Sequence, residues 1–121
     1  MNVFDASALL AFLQAEEGSD LVESGLTAES VCSAANWSEV AQKVMSHKQD
    51  WGLVKALLQS YGLAVEPVLA VDAELAAMSW RPGSGLSLAD RLCLALGQRL
   101  GAEVWTADLS WGNGHGIKQI R

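Results

Sequence analysis

Short apolar runs alternate with longer stretches of helical periodicity from one end of this chain to the other, and that alternation restricts its fold more than any other feature. Asn2-Val3-Phe4 reads as a first strand, followed by Asp-Ala-Ser at 5–7 and an apolar helix over Ala8 to Gln14. Ser30 to Ala34, Ala64 to Leu69, Glu103 to Thr106 and Ile117 to Ile120 read as four more strands. Between them, Gly18 to Ser24 suits a short helix. Asn36 can cap a helix through about His47, with Trp37, Val40, Ala41 and Val44 on one face. Trp51 to Ser60 repeats that pattern with Leu53, Val54, Leu57 and Leu58, and Gly62 suits its end. Val71 to Trp80 is alanine-rich and helical. Ser87 to Leu100 sets Leu88, Leu92, Ala95 and Leu96 on one side before Gly101. Arg81-Pro82-Gly83-Ser84-Gly85 and Gly112 to Gly116 are loops, because proline and glycine break regular structure. The expected fold is therefore α/β: a doubly wound, mainly parallel sheet of four to five strands with helices on both faces, in one domain spanning 1–121.

Half of the 121 residues are hydrophobic, enough to bury a core without disulfides or a structural metal. Cys32 and Cys93 lie in apolar stretches and form no CxxC pair or Cys/His cluster, so they read as buried free thiols in a reducing compartment. Asp5 interrupts any ordinary signal sequence, and the longest near-apolar run, Leu63 to Ala70, is broken by Glu66 and Pro67. A soluble, cytoplasmic protein with no membrane partner is the expectation. The net charge of −6 argues against a broad basic face that coats a duplex. It does not exclude a nuclease, since a bound cation changes the field of clustered carboxylates.

Ligands of such sheets bind beyond the carboxyl ends of the strands, and acids stand there. Asp5 follows the first strand, and Asp108 follows the strand ending at Thr106. Glu39 and Asp90 sit in the first turns of helices that start at the same edge. Four converging carboxylates would repel one another, and a hard cation with oxygen ligands, Mg²⁺ or Mn²⁺, is the natural remedy. Each acid also has a plainer role. Asp5 can cap its helix, Asp90 can form a capping box with Ser87, Glu39 can pair with Lys43 four residues on, and Asp108 can close an Asx-turn. All four falling at one edge is what the plainer roles leave unexplained.

The same residues carry a resemblance over nearly the whole chain. Val3-Phe4-Asp5-Ala6-Ser7, Asn36-Trp37-Ser38-Glu39-Val40, Leu86-Ser87-Leu88-Ala89-Asp90 running on to Ala95, and Thr106-Ala107-Asp108-Leu109-Ser110-Trp111 appear in order, and in this the chain resembles the VapC-type PIN-domain ribonucleases. The resemblance implies a PIN domain, Mg²⁺- or Mn²⁺-dependent endoribonuclease activity, a homodimer, and neutralisation by a cognate VapB-like antitoxin in a type II toxin–antitoxin pair. It also implies an RNA substrate, with transfer and ribosomal RNA as the candidates. Asp5, Asp90 and Asp108 are then metal ligands, Glu39 is a ligand or base, and Ser7 and Thr106 orient carboxylates, water or phosphate. A catalytically inert PIN-like interaction module and a receiver-like phospho-acceptor domain are the alternatives. A receiver needs paired acids after strand one, where this chain has only Asp5.

Arg91, beside Asp90, and Arg81, in the preceding loop, can meet RNA phosphate, although surface solvation explains both. His115 titrates in a useful range but has no placed partner, and a cation at His47 is explained by a helix end. Trp37 and Trp105 belong to the core by position. Trp51, Trp80 and Trp111 stand at element ends, where a tryptophan keeps one edge exposed or stacks on unpaired bases.

Overall fold

In the computed structural model, which describes all residues Met1–Arg121, five short strands form one parallel sheet. They are β1 (Asn2–Phe4), β2 (Ser30–Ser33), β3 (Ala64–Glu66), β4 (Glu103–Thr106) and β5 (Ile117–Gln119), in the order β3-β2-β1-β4-β5. The chain builds outward from β1 to β3 on one side, then returns to build β4 and β5 on the other. The reversal lies between β1 and β4, which is where a parallel sheet opens a crevice at its carboxyl ends. Phe4 pairs with Trp105, so Asp5 and Thr106 stand side by side at that opening.

Six helices cover the sheet: α1 (Ala6–Leu13), α2 (Ser19–Leu26), α3 (Ala34–Ser46), α4 (Trp51–Ser60), α5 (Ala70–Met78) and α6 (Leu88–Leu100). The two-residue period of the strands divides the core between the faces. Phe4, Cys32 and Trp105 face a cluster with Leu9, Val22, Leu26, Val40, Val44 and Leu58, drawn from α1 to α4. Val3, Val31 and Val104 face the other way, onto Cys93 and Leu96 of α6. Burial pushes the Cys32 thiol up to about 12 and raises that of Cys93 well above the ordinary range, so both free thiols are inert packing groups. No helix is long and apolar enough to cross a membrane.

Several boundaries differ from the sequence reading for identifiable reasons. Helix α1 starts at Ala6, because the Asp5 side chain accepts from Ala8 N–H and caps it. Helix α3 starts at Ala34, capped by Ser33, whose hydroxyl accepts from Ala35 N–H at 3.2 Å; Asn36 is not the cap and is buried inside the helix. Strand β3 stops at Glu66, since Pro67 has no N–H to continue the ladder. A short 3-10 turn at Leu109–Trp111, capped by Asp108, carries Trp111 back onto Val3 and Val104, so this tryptophan is buried and not edge-exposed. Helix α5 is tied to α6 by a forked pair: Arg99 Nε donates to Asp72 Oδ1 at 2.7 Å and its Nη2 to Oδ2 at 3.2 Å. Burial works against the Asp72 charge, yet Arg99 and the Leu69 N–H together hold its carboxyl below the ordinary carboxylate range.

Strand β4 is held tightly under α2. A Cβ added at Gly25 would stand 2.6 Å from the Trp105 ring, closer than a Cβ contact comes, and at a tight 3.1 Å from Phe4. Gly25→Ala is therefore expected to destabilise the protein by ~1–3 kcal/mol through overpacking, even though alanine is the better helix former. Gly52→Ala, on the exposed start of α4 with only Asp50 Oδ1 at 3.3 Å nearby, is expected to raise stability slightly. Urea titrations of the two variants should shift in opposite directions; a stabilising Gly25→Ala would show that the β4–α2 contact is loose.

Candidate active site

Asp5 leaves β1 and is only 3% exposed, so its carboxylate must be satisfied by the chain itself. Ala8 N–H donates to Oδ1 at 2.8 Å, Ser7 Oγ to Oδ1 at 2.8 Å, and Thr106 Oγ1 to Oδ2 at 2.6 Å. The two hydroxyls also accept from the chain that follows β4: Ser7 Oγ from Ala107 N–H at 2.9 Å, and Thr106 Oγ1 from Asp108 N–H at 3.0 Å. Each hydroxyl thus links the Asp5 carboxylate to a backbone amide on the far side of the β1/β4 opening. The Asp5 pKa is raised to about 6: burial drives it up, the hydrogen bonds from Thr106, Ala8 and Ser7 offset part of that rise, and the charge of Asp90 adds a small upward push.

The other three acids come from separate elements. Glu39 projects from α3, where Asn36 Nδ2 donates to its Oε1 at 2.8 Å. Asp90 closes the capping box of α6: Ser87 N–H donates to its Oδ2 at 2.9 Å, and Asp90 N–H donates to Ser87 Oγ at 3.1 Å. Asp108 Oδ1 accepts from Ser110 N–H at 2.9 Å and Ser110 Oγ at 2.7 Å, and Gln119 Nε2 donates to its carbonyl at 2.9 Å. Asp5, Ser7, Glu39, Asp90 and Asp108 all line one cavity of about 470 Å³ at the carboxyl edge of the sheet, together with Ala6, Leu10, Gln42, Lys43 and Ser46.

The capping and Asx-turn roles read from the sequence are therefore present, and so is the gathering at one edge. One plain role is absent: Glu39 forms no ion pair with Lys43, and the oxygen of it that is held, Oε1, accepts from Asn36. The four acids share a cavity, yet no three acidic, histidine or cysteine side chains close into a ready-made ligand set. The reason lies in the local bonds, since each carboxylate is held by its own neighbours within three residues, and Asp5 also by Thr106. Chemically the set suits a hard divalent cation, because every donor is a carboxylate oxygen and the most buried one is short of compensating charge.

Arg81 and Arg91 do not line the cavity. Arg81 Nη1 donates to the carbonyls of Met78 and Trp80, and Arg91 Nη1 to that of Ala76 at 2.7 Å, so both cations turn toward α5. His115 sits at the opposite end of the sheet, beside Glu103 and Ile117 where β4 and β5 begin. Asn36 is a residue that sequence reasoning missed. Its one signal was a polar side chain on the buried side of an amphipathic helix, three residues before Glu39; its Oδ1 is buried without a partner.

These features define a parallel α/β domain with a carboxylate-lined crevice at the point where strand order reverses. A family model described as PIN domain matches residues 3–112, and the chain belongs to that family. Among solved structures it is similar to a chain described as a toxin–antitoxin complex from Klebsiella pneumoniae, with a TM-score of 0.84, 17% identity, and coverage of 100% of this chain and 98% of that one. It is also similar to VapC20 of Mycobacterium tuberculosis, described as a toxin that cleaves the sarcin-ricin loop, with a TM-score of 0.68, 15% identity, and coverage of 96% and 92%. Comparison with curated proteins found no match.

The Asp5 environment makes a prediction about the metal-free protein. A carboxyl whose folded pKa lies near 6 against 3.8 for the free side chain is protonated more readily when folded, so it costs nothing below about pH 3.8. The cost grows through the interval and is complete above about pH 6, where a shift of this size is worth roughly 3 kcal/mol. Asp5→Asn keeps the cap and removes the charge. In EDTA at pH 7.5 it is expected to melt higher than the parent, and the gap is expected to close as the pH falls toward 4. A gap that is the same at both pH values would show that Asp5 is not held in a charge-hostile environment.

Proposed function

We propose that this chain is the ribonuclease toxin of a VapBC-type toxin–antitoxin pair, cutting RNA with the help of Mg²⁺ or Mn²⁺. One observation carries the reading: four carboxylates, delivered by β1, α3, α6 and the segment after β4, line one cavity at the strand-order reversal of a PIN domain. The fold likeness to a toxin–antitoxin complex and to a VapC toxin supports it, and the PIN family match sets the receiver-like alternative aside.

Asp5, Asp90 and Asp108 would hold the cation. Once bound, the ion would lower the pKa of a coordinated water and offset the charge that builds on phosphate. The remaining work belongs to the chain. Ser7 and Thr106 fix the Asp5 carboxylate by hydrogen bonds of 2.8 and 2.6 Å, so its orientation is set before any ligand arrives. Asn36 holds one oxygen of Glu39 and leaves Oε2 without a hydrogen bond, available to take a proton from an attacking water. Leu10 and Ala6 are the apolar residues of the cavity wall.

The partner surface follows from the same edge. Leu9 is fully buried and contributes nothing to it, whereas Leu10 and Leu13 are partly buried and Leu53 and Leu57 of α4 are exposed. An amphipathic helix of a VapB-like antitoxin would cover this apolar surface and place an arginine among the carboxylates. A second copy of the chain would cover the exposed apolar side chains along α5 and its flanks, Val68, Leu69, Val71, Met78 and Trp80.

Incubating the purified, antitoxin-free protein with a total transfer-RNA pool tests the activity. Cutting is expected with Mg²⁺ or Mn²⁺ and none with excess EDTA; undiminished cutting in EDTA would sink the metal mechanism. Asp90→Asn keeps a capping side chain and is expected to fold normally while losing ~100-fold or more in rate, the scale of a direct electrostatic contact at the reacting group. An Asp90→Asn chain that cuts like the parent would make Asp90 a capping residue alone.

Co-expression with the protein encoded immediately upstream tests the partner. The expectation is a complex that co-elutes in size exclusion and does not cut RNA. A chain that is harmless to its host when expressed alone and ignores its neighbour would count against the toxin assignment.

A further inference from the structure

The carboxylate cavity contains one cationic side chain, Lys43. It is exposed on α3, makes no ion pair, and stands one helical turn beyond Glu39. Glu39, Gln42, Lys43 and Ser46 occupy positions i, i+3, i+4 and i+7, and therefore form one continuous row on α3. Their side chains can all donate or accept hydrogen bonds, and this row leads away from the acids along the cavity wall.

The electrostatics of the cavity require something of this kind. The chain carries a net charge of −6, and four carboxylates line the crevice into which a polyanion would have to enter. A single divalent ion leaves that set still negative. Arg91, beside Asp90, and Arg81, in the preceding loop, are turned to backbone carbonyls near α5 and offer the cavity nothing. Lys43 alone supplies fixed positive charge there, and its four-carbon stem lets the ammonium follow a phosphate without demanding one geometry.

We propose that Lys43 binds an RNA phosphate next to the one being cut, and that the Gln42–Lys43–Ser46 row is the track on which single-stranded RNA lies as it leaves the carboxylates. This rests on the ribonuclease reading above. A purely compensating role for Lys43, as counter-charge to the acids, would affect the stability of the metal-free chain and leave the salt dependence of RNA binding unchanged.

The test is a set of initial-rate measurements on a labelled total transfer-RNA pool with Mn²⁺, over a salt series, for the parent, Lys43→Gln, Lys43→Arg and Lys55→Gln. Lys55 is an exposed lysine of α4 outside the cavity and controls for the loss of net charge. Lys43→Gln is expected to raise KM ~10-fold with kcat within about twofold, and to lower the slope of log KM against log salt by ~0.7, the value for one phosphate contact on a single strand. Lys43→Arg and Lys55→Gln are expected to stay near the parent, and all four chains should melt together. Parental KM and salt slope in Lys43→Gln overturn the inference while leaving the ribonuclease reading intact, and so does a fall in kcat at constant KM. A parent chain that cuts no RNA under these conditions overturns both.

Discussion

The hydrogen bond from Thr106 Oγ1 to Asp5 Oδ2 is the contact on which the rest of the arrangement depends, because it joins the ends of the two strands between which the strand order reverses. Burying a carboxylate at that seam is costly unless its oxygens are satisfied, and every donor that satisfies Asp5 comes from the segments that must meet there. Ser7 and Thr106 each reach both the carboxylate and a backbone amide following β4. The register of β1 on β4 and the direction taken by the chain toward Asp108 are consequently tied to one polar cluster at the edge of the apolar core. The residual cost of that burial is a carboxyl pushed up to about 6.

Capping and a place in the cavity are often treated as rival explanations of an acid at a helix start, but here the geometry makes them the same device. A helix that begins at the carboxyl edge of a parallel sheet presents free N–H groups there, and an acid that satisfies them is thereby held at the edge. Asp5 on α1, Asp90 on α6 and Asp108 on the 3-10 turn are all fixed in this way. Glu39 is the exception. It lies beyond the first turn of α3 and needs Asn36, a buried residue with no other protein partner for its side chain, to hold it.

Much of this was legible in the sequence because it depended on spacing. The five strands, the six helices and the convergence of Asp5, Glu39, Asp90 and Asp108 on one edge follow from periodicity and from the position of acids after strands. What escaped were choices between two nearby groups competing for one role. Ser33 and Asn36 both suit a helix cap, and only the tight passage from β2 into α3 decides for Ser33. Trp111 reads as a loop-end tryptophan until a 3-10 turn folds it beneath the sheet. Lys43 reads as a partner for Glu39, yet it is Asn36 that reaches that carboxylate, and Arg91 reads as a solvated cation or a phosphate contact until its guanidinium finds a carbonyl of α5. In each case the sequence states what a side chain can do, and the packing decides which neighbour reaches it first.

The span of the Asp5–Thr106 contact, 101 residues along the chain, has a consequence for the timing of activity. A ribosome making this protein releases Asp5 first, and for most of synthesis the nascent chain carries acids with no common cavity to line. The crevice is complete only when β4 has emerged and inserted beside β1, a pairing that closes a long loop of chain. A truncated product ending before β4 would keep three of the four acids without the strand that brings the seam together.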